Sequence, residues 1–284
     1  MVSNPSTGPI GVFDSGVGGL SVLRALWQHL PNERFYYVAD SLHCPYGDHS
    51  PEEIQTLSLG IADHLYEMGA KAIVVACNTA SAGALTALRA HLVDIPVVGM
   101  VPALKAAAGL SRRATVGVLA TQATIAGHLY REVHERFASD VRVIAQACPG
   151  LVEQIEAGQI NSPDTEALLI ECLAPIIAAR ADVLVLGCTH YPFVIPMLRR
   201  ILGPEVLLLE PSDAVARQAG RVLVARGLEA DPSSGSAVST LYGTTGDPAA
   251  FQHALHRLLG IDGAAIGLTW KQGRLLQAEP HPSY

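Results

Sequence analysis

Two cysteines stand in matching company. Cys77 closes the run Val74-Val75-Ala76-Cys77-Asn78-Thr79, and Cys188 closes Val185-Leu186-Gly187-Cys188-Thr189-His190, at an offset of 111 residues. Taken singly, either cysteine reads as packing, because a free cysteine behaves as a small buried hydrophobe. A matched pair supports different chemistry. Two thiols facing across a small pocket can take a proton from one face of a carbon and return one to the other. Inverting a stereocentre needs two acid/base groups of like kind, one thiolate and one thiol in each direction. A thiol of ordinary pKa, about 8.5, needs help to ionise at neutral pH, and helix N-termini or a protonated His190 supply it.

The other strand ends are polar too, where ligands bind in open α/β sheets. One run ends in Asp14-Ser15-Gly16, another in Asp40, another in Thr121. Asp14-Ser15-Gly16-Val17-Gly18-Gly19 invites a dinucleotide reading, with Asp40 as the ribose acid. Against it, the third glycine position falls on Ser21, and Asp14 would repel a pyrophosphate at the helix N-terminus. The glycines serve equally well as a tight turn whose N–H groups approach a small carboxylate. A zinc site at Cys188-Thr189-His190 lacks a second close Cys or His pair near Cys77, so no metal is expected. A Cys–His acyl-transfer site would leave the matching cysteine unexplained. The chain has only Lys71, Lys105 and Lys271, none in these motifs, which argues against a pyridoxal Schiff base and for a route without a cofactor.

The elements that must hold these residues are legible as well. The 284 residues carry 26 Asp+Glu against 19 Lys+Arg, a net charge of -7, and no basic face suited to nucleic acid. The apolar runs are too short to span a membrane, and Met1 to Gly11 lacks signal-peptide character, so an unexported, cytoplasmic chain is expected. In that compartment the five cysteines should remain thiols. Cys172 reads as helix packing and Cys148 as a residue that borders the cleft.

Apolar runs at Ile10–Phe13, Phe35–Val38, Ala72–Ala76, Val97–Met100, Thr115–Leu119, Val141–Ala145, Val183–Gly187, Val206–Leu209 and Thr240–Gly243 alternate with helical stretches. This predicts an α/β fold with mainly parallel sheets. Ser50-Pro51-Glu52-Glu53 and Ser162-Pro163-Asp164 mark helix starts. Gly11–Ser15 matches Gly117–Thr121, Tyr36–Val38 falls on Arg142–Ile144 at the same offset of 106, and Val97–Pro102 meets Leu207–Pro211. With the two cysteine runs, this order predicts two doubly wound, pseudo-symmetric domains with the active site between them. Helix Ala214–Arg226 and the last strand are expected to return to the first domain, through a polar connector at Gly227–Ser236. The first domain is then residues 1–99 plus 210–284, and the second 100–209.

These motifs resemble those of the glutamate racemases, within the wider family of cofactor-independent aspartate/glutamate racemases. The likeness is carried by Gly11–Leu20, Asp40 through Pro45-Tyr46-Gly47, Ala76–Ser81, Gly117–Ile125 and Leu186–Pro192. It implies interconversion of L-glutamate and D-glutamate, with Cys77 acting on the D-enantiomer and Cys188 on the L-enantiomer. It implies Asp14 and His190 as partners of the thiols, and Glu156 by spacing, with Glu153 close by. It further implies substrate contacts from Asp14, Ser15, Pro45, Tyr46, Gly47, Cys77, Asn78, Thr79, Thr121, Thr124, Cys188, Thr189 and His190. The biological role implied is supply of D-glutamate for peptidoglycan by a cytoplasmic homodimer. The motifs contain no arginine, so hydroxyls and N–H donors are expected to hold the substrate carboxylates. Two alternatives stay open: the same chemistry on aspartate or a hydantoin, and a two-domain amino-acid sensor in which the cysteines only pack.

Overall fold

The computed structural model describes residues 5–231 and 239–278. The chain begins with β1 (Ile10–Asp14), α1 (Leu20–His29), β2 (Arg34–Ala39), α2 (Pro51–Glu67), β3 (Ala72–Val75), α3 (Asn78–His91) and β4 (Val97–Val98). A second series follows: α4 (Leu104–Leu110), β5 (Thr115–Ala120), α5 (Gln122–Ala126), α6 (His128–Phe137), β6 (Arg142–Ala147), α7 (Leu151–Glu156), α8 (Pro163–Ala178), β7 (Val183–Gly187), α9 (Ile195–Leu202) and β8 (Leu207–Leu209). Then come α10 (Ser212–Arg226), β9 (Ser239–Thr244), α11 (Pro248–Leu259), β10 (Ala265–Lys271) and β11 (Arg274–Gln277).

The strands form two sheets, ordered β11-β10-β9-β2-β1-β3-β4 and β6-β5-β7-β8. The order β2-β1-β3-β4 therefore recurs as β6-β5-β7-β8, and every pairing in both sets is parallel. Register supports the repeat. Gly11 lies beside Ile73 and Gly117 beside Leu184, so Ile73 and Leu184 are equivalent at the 111-residue offset of the cysteine runs. On the other side Gly11 faces Tyr36 and Gly117 faces Ile144, so Tyr36 corresponds to Ile144 and not to Arg142. A slip of two residues keeps the same face inward, which is why the hydrophobic pattern does not reveal it.

The central strands β1, β3, β5 and β7 are buried on both faces, as their unbroken apolar runs require. Helices cover the larger sheet through two clusters, one of which sets Val215, Ala216, Ala219 and Leu223 of α10 against Leu20, Leu23 and Leu26 of α1. The smaller sheet is covered in the same way. α2 begins with a reciprocal capping box between Ser50 and Glu53, and Ser162 caps α8 by accepting the Thr165 N–H.

The strand β9 joins the larger sheet beside β2, as expected. The sequence pattern had not marked β10 and β11. β10 is only half buried along most of its length, and Gly267 and Thr269 blur its apolar run. Gln272 and Gly273, both at positive φ, form the two-residue turn that folds β11 back as an antiparallel edge. Residues 232–236 of the expected connector Gly227–Ser236 lie outside the described residues.

One expectation about the cysteines is overturned. Cys148, just after β6, is joined to Cys172 on α8 as a disulfide with a Cα–Cα separation of 5.6 Å, leaving Cys44, Cys77 and Cys188 free. The bridge forms because α8 packs over the smaller sheet and brings the two Cα atoms within the 4.4–6.8 Å that a disulfide spans, a contact that compartment alone does not reveal. Cys172 is thus more than helix packing. The pairing predicts that urea-unfolded protein, prepared without reductant, titrates with three thiols per chain. Five thiols would mean the bridge does not form.

Candidate active site

The carboxyl ends of β1 and β3 in one sheet and of β5 and β7 in the other meet at a narrow cleft. Ser15, Pro45, Tyr46, Gly47, Cys77, Asn78, Thr79, Thr121, Val152, Cys188, Thr189 and His190 line it, and their free space is only about 10 Å³, room for roughly one water. No arginine or lysine is among them. The three lysines lie elsewhere: Lys71 pairs with buried Glu33 at 2.5 Å, Lys105 sits over the Phe137 ring, and Lys271 is exposed at the β10–β11 turn.

Each thiol stands at the N-terminal side of a new turn. Cys77 is the N-cap of α3, and its Sγ accepts the Ala80 N–H at 3.4 Å. Burial, and then the charge of Asp14, hold the Cys77 thiol above its ordinary range despite that N–H. Cys188 follows β7, and its Sγ lies 3.7 Å from Nδ1 of His190. The other ring nitrogen of His190, Nε2, meets Glu156 Oε1 at 2.6 Å. Burial works against the imidazolium, but the hydrogen bonds to Cys188, Cys44 and Glu156 overcome it and raise the ring's pKa well above its usual range. Glu156 is correspondingly lowered: burial opposes its charge, and His190 and the Val17 N–H outweigh burial.

Asp14 is fully buried at the end of β1. Its Oδ2 accepts the N–H groups of Gly19 at 2.9 Å and Gly16 at 3.2 Å, and its Oδ1 accepts the Thr189 hydroxyl at 3.3 Å. Burial raises its pKa, against the pull of His190 and these N–H groups. This answers the question posed by the glycine-rich turn. Its N–H groups do approach carboxylates, but the protein's own: Gly16 and Gly19 serve Asp14, and Val17 serves Glu156 at 2.8 Å. The donors that a dinucleotide pyrophosphate would use at α1 are taken. Asp40 is equally committed. Its carboxylate accepts Tyr46 OH at 2.7 Å, Thr245 Oγ1 at 2.8 Å and Trp270 Nε1 at 3.0 Å, and it also meets the His43 ring.

The hydroxyls form a second group. Thr79 Oγ1 lies 2.9 Å from Thr121 Oγ1 and 3.3 Å from Thr124 Oγ1, and Thr121 caps α5. Thr79 opens α3 beside the first sheet and Thr121 follows β5 of the second, so this trio spans the cleft, with Thr124 set behind the other two. The side chain of Asn78 contrasts with them: both Oδ1 and Nδ2 are buried without a hydrogen-bond partner. A buried amide with nothing to bond costs stability, and its place in the cleft marks where ligand polar groups fit.

Of the two candidate glutamates, Glu156 reaches His190, while Glu153 borders the neighbouring cavity with Cys148. Three further residues shape the site without a sequence signal that assigns them this role. Tyr37 OH donates to the Gly16 carbonyl at 2.7 Å, Ser21 Oγ donates to the Thr189 carbonyl at 3.0 Å, and Asp40 anchors Tyr46. Ser21 was visible only as the residue that breaks the glycine pattern.

Two sheets that share a four-strand parallel order, each presenting a thiol to a shared polar cleft, define an α/β enzyme assembled by duplication around a small substrate. Comparison with known proteins identifies the family. The Asp/Glu/Hydantoin racemase family model matches residues 10–219. A glutamate racemase of Roseiflexus sp. (strain RS-1) is 49% identical over 257 residues, covering 90% of this chain and 94% of that protein. The structure of glutamate racemase from Francisella tularensis in complex with D-glutamate superposes with a TM-score of 0.82 at 30% identity, covering 93% of this chain and 98% of that one. That of Escherichia coli glutamate racemase with L-glutamate and the activator UDP-MurNAc-ala superposes at 0.77 and 32%, covering 88% and 95%. The chain belongs to the Asp/Glu/Hydantoin racemase family.

Two outcomes follow from this geometry. A Cβ on Gly16 would run into the Glu156 carboxylate and reach within 3.0 Å of Cys44 Sγ. Gly16→Ala should therefore displace Glu156 from Val17 and His190 and lower kcat on the order of 100-fold with the circular-dichroism spectrum unchanged. Kinetics like the parent's would refute the contact. The raised His190 pKa also couples to folding. Its stabilisation is complete below the unfolded value of about 6.5 and drains away as pH rises through the folded value. Urea unfolding across that range should show this slope in the parent and not in His190→Asn; equal slopes would sink it.

Proposed function

We propose that this chain interconverts L-glutamate and D-glutamate by two-base proton transfer between Cys77 and Cys188, with no cofactor. The observation that carries the reading is the placement of the two thiols at equivalent strand ends on one cleft. Starting from L-glutamate, a Cys188 thiolate takes the α-proton, and the Cys77 thiol gives its proton to the opposite face of the carbanion. This leaves a Cys188 thiol and a Cys77 thiolate, the starting state for the reverse direction.

The surroundings suit these roles. A protonated His190 donates from Nδ1 towards Cys188 and supplies the charge that complements a thiolate there, while Glu156 on Nε2 holds the ring in place. Burial keeps Cys77 protonated at rest, ready to act as the acid on the L-to-D route. For the return route Cys77 must lose that proton, and Asp14, whose carboxyl is itself raised by burial, is the neighbour able to accept it. The free amide of Asn78 and the hydroxyls of Ser15, Thr79, Thr121 and Thr189 are suited to the two substrate carboxylates and the ammonium. Relatives of this fold solved with D-glutamate and with L-glutamate support the choice of substrate over aspartate or a hydantoin.

The same reading divides the chain into residues 1–99 with 210–284 and residues 100–209. It assigns the protein to the cytoplasm as a homodimer that supplies D-glutamate to peptidoglycan. No helix among the described residues is long and apolar enough to cross a membrane.

Incubation with either enantiomer in deuterium oxide should give product carrying deuterium at the α-carbon, with the circular-dichroism signal of glutamate falling to zero. Absence of both changes would dismiss the substrate. Cys77→Ser and Cys188→Ser should each abolish racemisation, whereas a sensor would keep its behaviour in both. Asn78→Ala should weaken glutamate by about 1–3 kcal/mol, seen as a raised KM, and should not lower thermal stability, because it removes an amide left unpaired in the empty cleft. A lowered Tm with an unchanged KM would contradict that role.

A further inference from the structure

Beside the proton-transfer pair lies a second cluster that the reaction does not use as a whole. Cys44 Sγ, Glu156 Oε1 and a ring nitrogen of His190 all lie within 4.8 Å of one another. Cys44 Sγ is 3.5 Å from Glu156 Oε1, and His190 Nε2 is 2.6 Å from the same oxygen. One thiol, one imidazole and one carboxylate converging on a point form the ligand set of zinc and its soft divalent relatives. Zinc bonds of about 2.0–2.3 Å set its ligands somewhat more than 3 Å apart, so the cluster needs only small side-chain movements to accept an ion. The sequence places no second ligand pair beside Cys77. The fold recruits Cys44 instead, 112 residues from Glu156 in sequence.

We infer that Cys44, Glu156 and His190 form a binding site for a zinc-like divalent cation that staples the cleft shut. Cys44 lies between β2 and α2, on the side of the larger sheet, whereas Glu156 and His190 follow elements of the smaller one. An ion held by all three therefore bridges the two halves. The cleft has room for about one water, so an amino acid enters only when the halves part. A bridging ion opposes that parting and competes with substrate. Binding replaces the Cys44 proton and the Nε2 proton by the metal and releases both to solvent, with no change of oxidation state. Cys44 and Glu156 are partly exposed, which gives the ion a way in, and three protein ligands leave a fourth position open.

The test uses cobalt(II) as a coloured substitute for zinc on the full-length protein. One equivalent should produce the thiolate-to-cobalt absorption and the intense visible bands of a tetrahedral site, and zinc should displace it. The bands should vanish in Cys44→Ala and persist in Cys188→Ser, a variant that the proton-transfer reading expects to be inactive, so the two ideas fail separately. In the parent, zinc should raise the apparent KM for glutamate, chelator should reverse this, and Cys44→Ala should need about tenfold or more zinc for the same effect relative to its own metal-free rate. Absence of a thiolate band, or a band that survives in Cys44→Ala and is lost in Cys188→Ser, would overturn the site by placing the metal nowhere or on the proton-transfer thiol. Should Cys44→Ala fail to fold, Glu156→Gln serves as the second variant: it should weaken cobalt binding by a similar factor, and unaltered binding would count against the site.

Discussion

The hydrogen bond between His190 and Glu156 joins the two groups whose opposite charges sustain each other beside the cleft. An imidazole buried to this degree would ordinarily be neutral, since desolvation disfavours the ion. The hydrogen bonds to Cys188, Cys44 and Glu156 together reverse that balance, and Glu156 keeps some solvent and a backbone donor from Val17. A positive ring can then face Cys188, and the same positive charge helps Asp14, at the end of another strand, to bear a carboxylate it would otherwise protonate. The link also crosses between halves: Glu156 is carried by α7 over the smaller sheet, and Val17 belongs to the turn after β1 in the larger one.

Duplication explains why there are two thiols, and divergence explains why they differ. Equivalent registers around Gly11 and Gly117 place Cys77 and Cys188 at corresponding ends. The residues two places further on are Thr79 and His190, however, and the acid at the end of β1 has Ala120 as its counterpart at the end of β5. One thiol therefore faces an acid and the other an imidazolium. Unlike neighbours give the two sulfurs unlike surroundings.

Local pattern carried most of this into the sequence. Strand ends, caps and the repeat are short-range signals: the repeat marks Cys77 and Cys188, strand-end polarity marks Asp14 and Thr121, and the roles of Asp14 and the threonines come from the resemblance to a known family. What stayed hidden depends on contacts between distant segments. Asp40 looked like the end of a nucleotide site because its partners Thr245 and Trp270 arrive from the C-terminal strands more than 200 residues later. β10 and β11 lie at a sheet edge and need no strong apolar period. The Cys148–Cys172 bridge depends on how α8 lies across β6, which no spacing rule encodes.

The glycine turn shows the same limit from another side. Its pattern suggested a loop opened towards a ligand, and glycine is indeed required, but for the approach of other protein groups. A side chain on Gly18 would collide with the His190 ring and Thr189, and one on Gly16 with Glu156. Missing Cβ atoms are what let the second half bring His190 and Glu156 against the turn that carries Asp14. Adding a methyl there would push Glu156 or His190 away from the turn without altering either cysteine. The turn therefore constrains the chemistry through distance alone, and tolerance for substitution at Gly16 and Gly18 should track how far Glu156 and His190 can retreat before the charge network opens to water.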